Sequence, residues 1–222
     1  MSFFLGLILG IAVATPSVTQ LPQISAAPPV ESSPVSDAPV TAEAEVPPQV
    51  YEGNGNDVVD LANPIDRGVL VFECTRCSGD ITVGSDAQYD NQLISFKKAP
   101  YSGKRWLGMR GDTTTRLQVT AQGSWKVTVG GLDLARREAG TGPVSGKGDD
   151  VLLLGTAPKT VHFTHRGDSN FQVDLMADSL QFPEGVINEI GSYDGTVFFK
   201  VDGSEAALVE VAADGAWSMT PQ

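Results

Sequence analysis

Histidine and cysteine are scarce in this chain, which holds only His162 and His165, Cys74 and Cys77. A zinc site needs about four ligands. The two histidines stand three positions apart, which in a strand turns them to opposite faces. Neither pair supports a metal site. No Gly-x-Ser-x-Gly turn, no His-Glu-x-x-His helix and no cysteine beside a histidine occurs, so the familiar nucleophile and metal motifs of hydrolases are missing. A carboxylate pair stays open as a catalytic device, since 27 Asp and Glu residues are present. Positive charge is also short: no basic residue precedes Arg67, and the formal net charge is −12. Nucleic acid, which demands clustered positive charge, is not an expected partner, and anionic wall polymers would be repelled.

Composition divides the chain into segments. Phe3 to Ala14, "FFLGLILGIAVA", is an apolar run of 12 residues, short of the ~20 that a membrane-spanning helix needs. With the small-x-small pattern Ala12-Val13-Ala14 it reads as a signal-peptide core, or as the end of a membrane anchor that begins upstream. Residues 15–50 carry eight prolines among Ala, Ser, Val and four acidic residues. Such a linker cannot build a core; it favours extended polyproline conformations and acts as a semi-rigid stalk.

An internal repeat follows. "GNGNDVVDL" at 53–61 returns as "GKGDDVLLL" at 146–154, Tyr101-x-Gly103 as Tyr193-x-Gly195, and "LQVTAQGSWKV" at 117–127 as "VEVAADGAWSM" at 209–219. Order and spacing are kept, which predicts two tandem domains of one fold, at 51–130 and 144–222, joined by "GLDLARREAGTG". Within each copy apolar residues alternate in short runs between Gly, Asp, Asn and Ser, as at Phe171, Val173 and Leu175. About seven strands per copy are expected, hence an all-β fold of two antiparallel β-sandwiches, jelly-roll-like or immunoglobulin-like in outline. Trp125 and Trp217 close the copies at equivalent points and read as core anchors.

The apolar segment, the Pro-rich linker, Gly-x-Gly-x-Asp-Val, "THRGDSNFQV", "NEIGSYDGTVFF" and the closing "ADGAW" together resemble the poorly characterised β-sandwich domain of actinobacterial and other Gram-positive surface proteins. Copy two matches over nearly its whole length. Copy one departs, with "KKAPYSGKRW" in place of the Asn-x-Ile-Gly-Ser-Tyr-x-Gly pattern. The resemblance implies fold and location and carries no catalytic residue.

Four features are candidates for function. Arg110-Gly111-Asp112 and Arg166-Gly167-Asp168 repeat an adhesion tripeptide, but both fall between strands, where turn chemistry wants Gly at positive φ and Asp for local backbone bonds; a hairpin loop is expected at 166–168. Gly146 to Asp150 could hold calcium through Asp149 and Asp150, as against a solvated β-turn opening each domain. Lys97, Lys98, Tyr101, Lys104, Arg105 and Trp106 form a basic, aromatic cluster that copy two lacks, able to grip an acidic glycan or protein, although Trp106 aligns with Phe198 and also reads as a core residue. Cys74 and Cys77 sit in the matching hairpin loop of copy one, with no helix to activate a thiolate. In an exported chain they are expected to form a short-loop disulfide, with free thiols the alternative. Charge separates the copies: nine basic and nine acidic residues in copy one, four and twelve in copy two.

The expectation is an extracytoplasmic protein of the cell envelope, or a secreted one, held to the membrane by its N-terminal segment. It would act as a non-catalytic binding module for an envelope glycan or protein, with no cofactor beyond a possible calcium ion. An envelope hydrolase with an Asp/Glu pair in a cleft, and an inert spacer, are the alternatives. Strand topology and oligomeric state are left open.

Overall fold

The computed structural model describes residues 47–222. The apolar run at 1–14 and most of the linker at 15–50 lie outside the described residues; the chain enters strand β1 at Gln49, inside the last part of that linker. No helix among the described residues is long and apolar enough to cross a membrane.

Copy one is built from β1 (Gln49–Asn54), β2 (Asp57–Ile65), β3 (Gly68–Cys74), β4 (Ser78–Ser85), β5 (Gln92–Lys98), β6 (Tyr101–Leu107), β7 (Thr114–Gln122) and β8 (Ser124–Gly130). The junction holds a single 3₁₀ turn at Leu132–Leu134 and β9 (Arg136–Glu138). Copy two follows with β10 (Val144–Lys147), β11 (Asp150–Leu154), β12 (Thr160–Arg166), β13 (Asn170–Ala177), β14 (Glu184–Ile190), β15 (Tyr193–Phe198), β16 (Ala207–Ala212) and β17 (Ala216–Pro221). Each copy therefore has eight strands, one more than the alternation predicts.

The sheet orders are β1-β8-β3-β6 facing β2-β7-β4-β5 in copy one, and β10-β17-β12-β15 facing β14-β13-β16-β11-β9 in copy two. Both follow the same path between two antiparallel sheets, the order of an eight-stranded jelly roll. Cores lie between the facing sheets because one side of every inner strand is apolar: Phe171, Val173 and Leu175 on β13 are fully buried, as are Phe72 on β3 and Leu117 on β7. Two connections expected as hairpins are arches instead. The loop after β3 and the loop after β12 each cross from one sheet to the other, because period-two alternation cannot distinguish a partner in the same sheet from one in the facing sheet. The junction is no free tether either: β9 pairs in parallel with β11 as an edge strand of copy two.

The repeated glycine motif has one physical explanation in both copies. The Trp125 ring lies where a Cβ on Gly53 would stand, and Trp217 does the same over Gly146. Each indole N–H donates to the carbonyl of the second glycine, Gly55 at 2.8 Å and Gly148 at 2.9 Å. That second glycine has φ of 78° or 74°, a left-handed conformation costly for other residues. The next side chain caps the strand opposite, Asn56 accepting from Ala121 N–H at 3.1 Å and Asp149 from Ala213 N–H at 2.9 Å.

Candidate functional site

Strand β6 ends one sheet of copy one, so half of its N–H groups face away from β3. Copy two satisfies two of them. Lys104 N–H donates to the Asp149 carbonyl at 3.2 Å and Trp106 N–H to Glu210 Oε1 at 2.8 Å. Around this captured edge lies a third apolar cluster, separate from both sandwich cores, in which Val69, Trp106 and Met109 of copy one meet Val151 and Leu208 of copy two and Ala135 of the junction. Trp106 is thus buried in the seam between copies and not in a core, while its counterpart Phe198 is 69% exposed.

The basic cluster grips acid, and the acid belongs to the same chain. Lys97 Nζ lies 2.8 Å from Asp149 Oδ1 and donates also to the Ala213 carbonyl at 3.2 Å. Tyr101 donates to Asp149 Oδ2 at 2.8 Å; burial, with the adjoining Asp149 charge, pushes this phenol well above its ordinary value and keeps it a donor. Arg105 pairs with Glu210 at 3.1 Å, and Lys104 Nζ reaches the Leu134 carbonyl at 2.8 Å. Lys98 stands apart, exposed and paired with Asp80. The two carboxylates considered for calcium face cations of the chain and do not form a shared ligand set: Asp149 is saturated as described, and Asp150 pairs with Arg136 at 3.1 Å. No group of three or more His, Cys, Asp or Glu side chains gathers at metal-binding distance among the described residues.

At the mouth of the seam opens a polar cleft of about 290 Å³. Copy one contributes Tyr89, Asp90 and Asn91 from the β4–β5 loop with Arg105 and Arg110; copy two contributes Gln172, Asp174 and Glu210. Burial pushes Glu210 up to about 7 against the pull of Arg105 and the Trp106 N–H. Asp174 is raised by burial, and Asp90 by burial and then by the Asp112 charge. Arg105 Nε has no partner among the described residues. A broader groove of about 710 Å³ runs elsewhere over copy one, past Glu52, Asn54, Thr75, Arg76 and Lys126.

The adhesion-like tripeptides are structural. In the first, Gly111 has φ of 82° and donates to the Gly108 carbonyl at 3.1 Å, while Asp112 accepts from Tyr89 N–H at 2.8 Å and so shapes the cleft wall. In the second, Gly167 does not have the positive φ expected of it. A Cβ there would collide with Asp214 and with the His165 ring at 2.6 Å, so close approach is what demands glycine. Asp214 Oδ2 gathers the arch by accepting from Asp168 and Ser169 N–H, each at 3.0 Å. His165 stacks on Phe171 with centroids 4.5 Å apart and bonds the Gly191 carbonyl at 2.8 Å. Cys74 and Cys77 are joined as a disulfide, Cα atoms 5.3 Å apart, closing the β3–β4 arch.

Sequence reasoning did not select Glu210, Tyr89 or Asp174. For Glu210 a signal exists: it interrupts the buried strand "ALVEVA", where the matching position of copy one is Gln118. Tyr89 and Asp174 belong to loops and faces that meet only in three dimensions, and no local pattern marks them.

No protein family and no curated protein matches the sequence. Among solved structures, a conserved protein of unknown function from Pseudomonas aeruginosa PAO1 is similar at 12% identity over 78% of each chain, with a TM-score of 0.25.

Proposed function

We propose that the protein is an extracytoplasmic, membrane-tethered binding module that performs no catalysis and holds an envelope glycan in the cleft between its two jelly rolls. The observation that carries the reading is the lining of that cleft. Tyr89, 55% exposed, offers a ring face beside the planar amides of Asn91 and Gln172 and the guanidinium of Arg110. An aromatic face supplies stacking area, and amides with guanidinium donors suit sugar hydroxyls. The disulfide supports an oxidising compartment, and the apolar run with its Pro-rich sequel supports display away from a membrane. Because the ion pairs of copy one are spent on copy two, the cleft rests on a preorganised frame.

Retention of isolated envelope polysaccharide on immobilised full chain tests this. Tyr89→Ala and Gln172→Ala should each lower retention at least tenfold with an unchanged melting midpoint. No retention by the wild type, or wild-type retention by both variants, overturns the reading. One observation favours the hydrolase alternative: Glu210, near 7, has the poise of a general acid. Both its oxygens are already engaged by Arg105 and the Trp106 N–H, which favours a structural role. Release of shortened glycan that stops in Asp174→Asn would move the reading to an enzyme.

A further inference from the structure

We propose that the outer edge of β15 is a docking site for an extended, basic segment of another protein, which adds to copy two as an extra strand. The counterpart in copy one shows what this edge does when occupied: β6 has the N–H groups of Lys104 and Trp106 taken up by acceptors of copy two. The equivalent positions, Thr196 and Phe198, follow from the registers, since β6 meets β3 through Lys104↔Val71 and Trp106↔Val69 where β15 meets β12 through Thr196↔His162 and Phe198↔Thr160. Among the described residues no strand covers the far side of β15, which ends its sheet.

Natural sheet edges are blunted by Pro, Lys, bulges or a covering element. β15, "YDGTVF", has none of the first three. Moreover, the large exposed apolar side chains of copy two are Phe182, Ile190 and Phe198, at 55%, 79% and 69% exposure, and all three flank β14 and β15. Strand addition satisfies edge N–H groups with backbone carbonyls and seats alternate side chains on such flanking residues.

A second copy of this chain is a poor occupant. The face that receives β6 presents Val151, Leu153 and Leu208 with Glu210. Register equivalence maps these to Val58, Asp60, Arg116 and Gln118 in copy one. There Asp60 and Arg116 form an exposed ion pair at 2.6 Å, a solvent face and not a receptor. Charge selects the partner: Glu189 and Asp194 lie on the open strands, within a copy bearing twelve acidic and four basic residues. A segment alternating basic and apolar residues complements both features.

The probe is a ten-residue peptide alternating Lys and Val, titrated against full-length protein by calorimetry beside its Glu/Val analogue. The Lys/Val peptide should bind at least tenfold more tightly than the analogue and weaken as salt rises. Thr196→Pro, which removes one edge donor, and Phe198→Asp, which removes the apolar seat, should each weaken binding at least tenfold. Both positions are exposed, and an unchanged circular dichroism melt will show that the variants fold. Equal binding of the two peptides, no binding of either, or wild-type affinity in both variants overturns the proposal, and so does concentration-dependent self-association of the chain that Phe198→Asp abolishes.

Discussion

A carboxylate taken out of water must find donors, and the two acids at the seam solve this differently. Asp149 is fully supplied by Lys97, Tyr101 and the Ala213 N–H. Asp149→Asn should therefore cost about 2 to 3 kcal/mol, because it strands a partly buried ammonium and misdirects Tyr101. Chemical denaturation measures it, and a change below about 0.5 kcal/mol would place Asp149 among neutral surface positions. Glu210 has one guanidinium and one N–H but almost no solvent, so burial dominates and raises it from 4.5 to about 7. A folded value above the unfolded one means that the neutral acid is favoured by folding. Its contribution is fully present below pH 4.5 and is lost as pH rises through about 7. Relative to Glu210→Gln, which keeps a neutral side chain throughout, the wild type should lose on the order of 1 to 3 kcal/mol between pH 5 and pH 8. Parallel pH profiles for the two proteins would contradict this.

At the scale of elements, a bulge aims the lysine. Ile94 pairs with Val83 and Lys97 with Ile81, so Ser95 and Phe96 oppose Thr82 alone. The extra residue turns Phe96 outward, 76% exposed and with φ of 49°, a left-handed conformation that costs a bulky residue about 1 to 2 kcal/mol. Phe96→Asn, which tolerates that region, should raise stability by up to about 1 kcal/mol, and a lower melting midpoint would count against strain at this site. The arch at 165–171 makes the complementary case. Gly167→Val should destabilise by about 1 to 3 kcal/mol through collision with Asp214 and His165, whereas Arg166→Ala, exposed, should leave the midpoint within error. Equal effects of the two changes would remove the crowding argument. These elements also mark what the sequence discloses. Strands, the repeat and the closing tryptophans were legible because alternation acts within about ten residues and the Gly-x-Gly and Trp motifs recur at a nearly fixed shift; their pairing with each other was not, since Trp125 and Gly55 lie 70 positions apart. Bulges and arches were not, since they depend on which sheet receives the next strand. The cluster was legible as a concentration of Lys97, Tyr101, Lys104, Arg105 and Trp106, but its partner was not, because Asp149 lies 48 positions from Tyr101 and Glu210 104 positions from Trp106, and they meet it only across the seam.

For the whole molecule the question is whether two jelly rolls behave as two bodies or one. Each has its own core, so each could fold alone. Yet Val151 and Leu208 are fully buried only by virtue of the neighbouring copy and the junction, and β9 belongs to the sheet of copy two. Separating the copies would expose this apolar surface and leave Glu210 and Asp149 without Arg105 and Lys97, a double penalty that couples their unfolding. Residues 47–222 should therefore melt in a single cooperative transition. Trp106 is the side chain through which that coupling can be cut, because it lies in the seam and in neither core. Trp106→Ala should remove about 3 to 5 kcal/mol from the joint while sparing both sandwiches, so calorimetry should resolve two transitions, each with the enthalpy of one copy. Trp217→Ala, in the core of copy two, should instead lower that copy's own transition and drag the joined molecule down with it. A single transition at the wild-type midpoint for Trp106→Ala would mean that the coupling does not run through Trp106, and that the ion pairs of Lys97 and Arg105 suffice to hold the copies as one body.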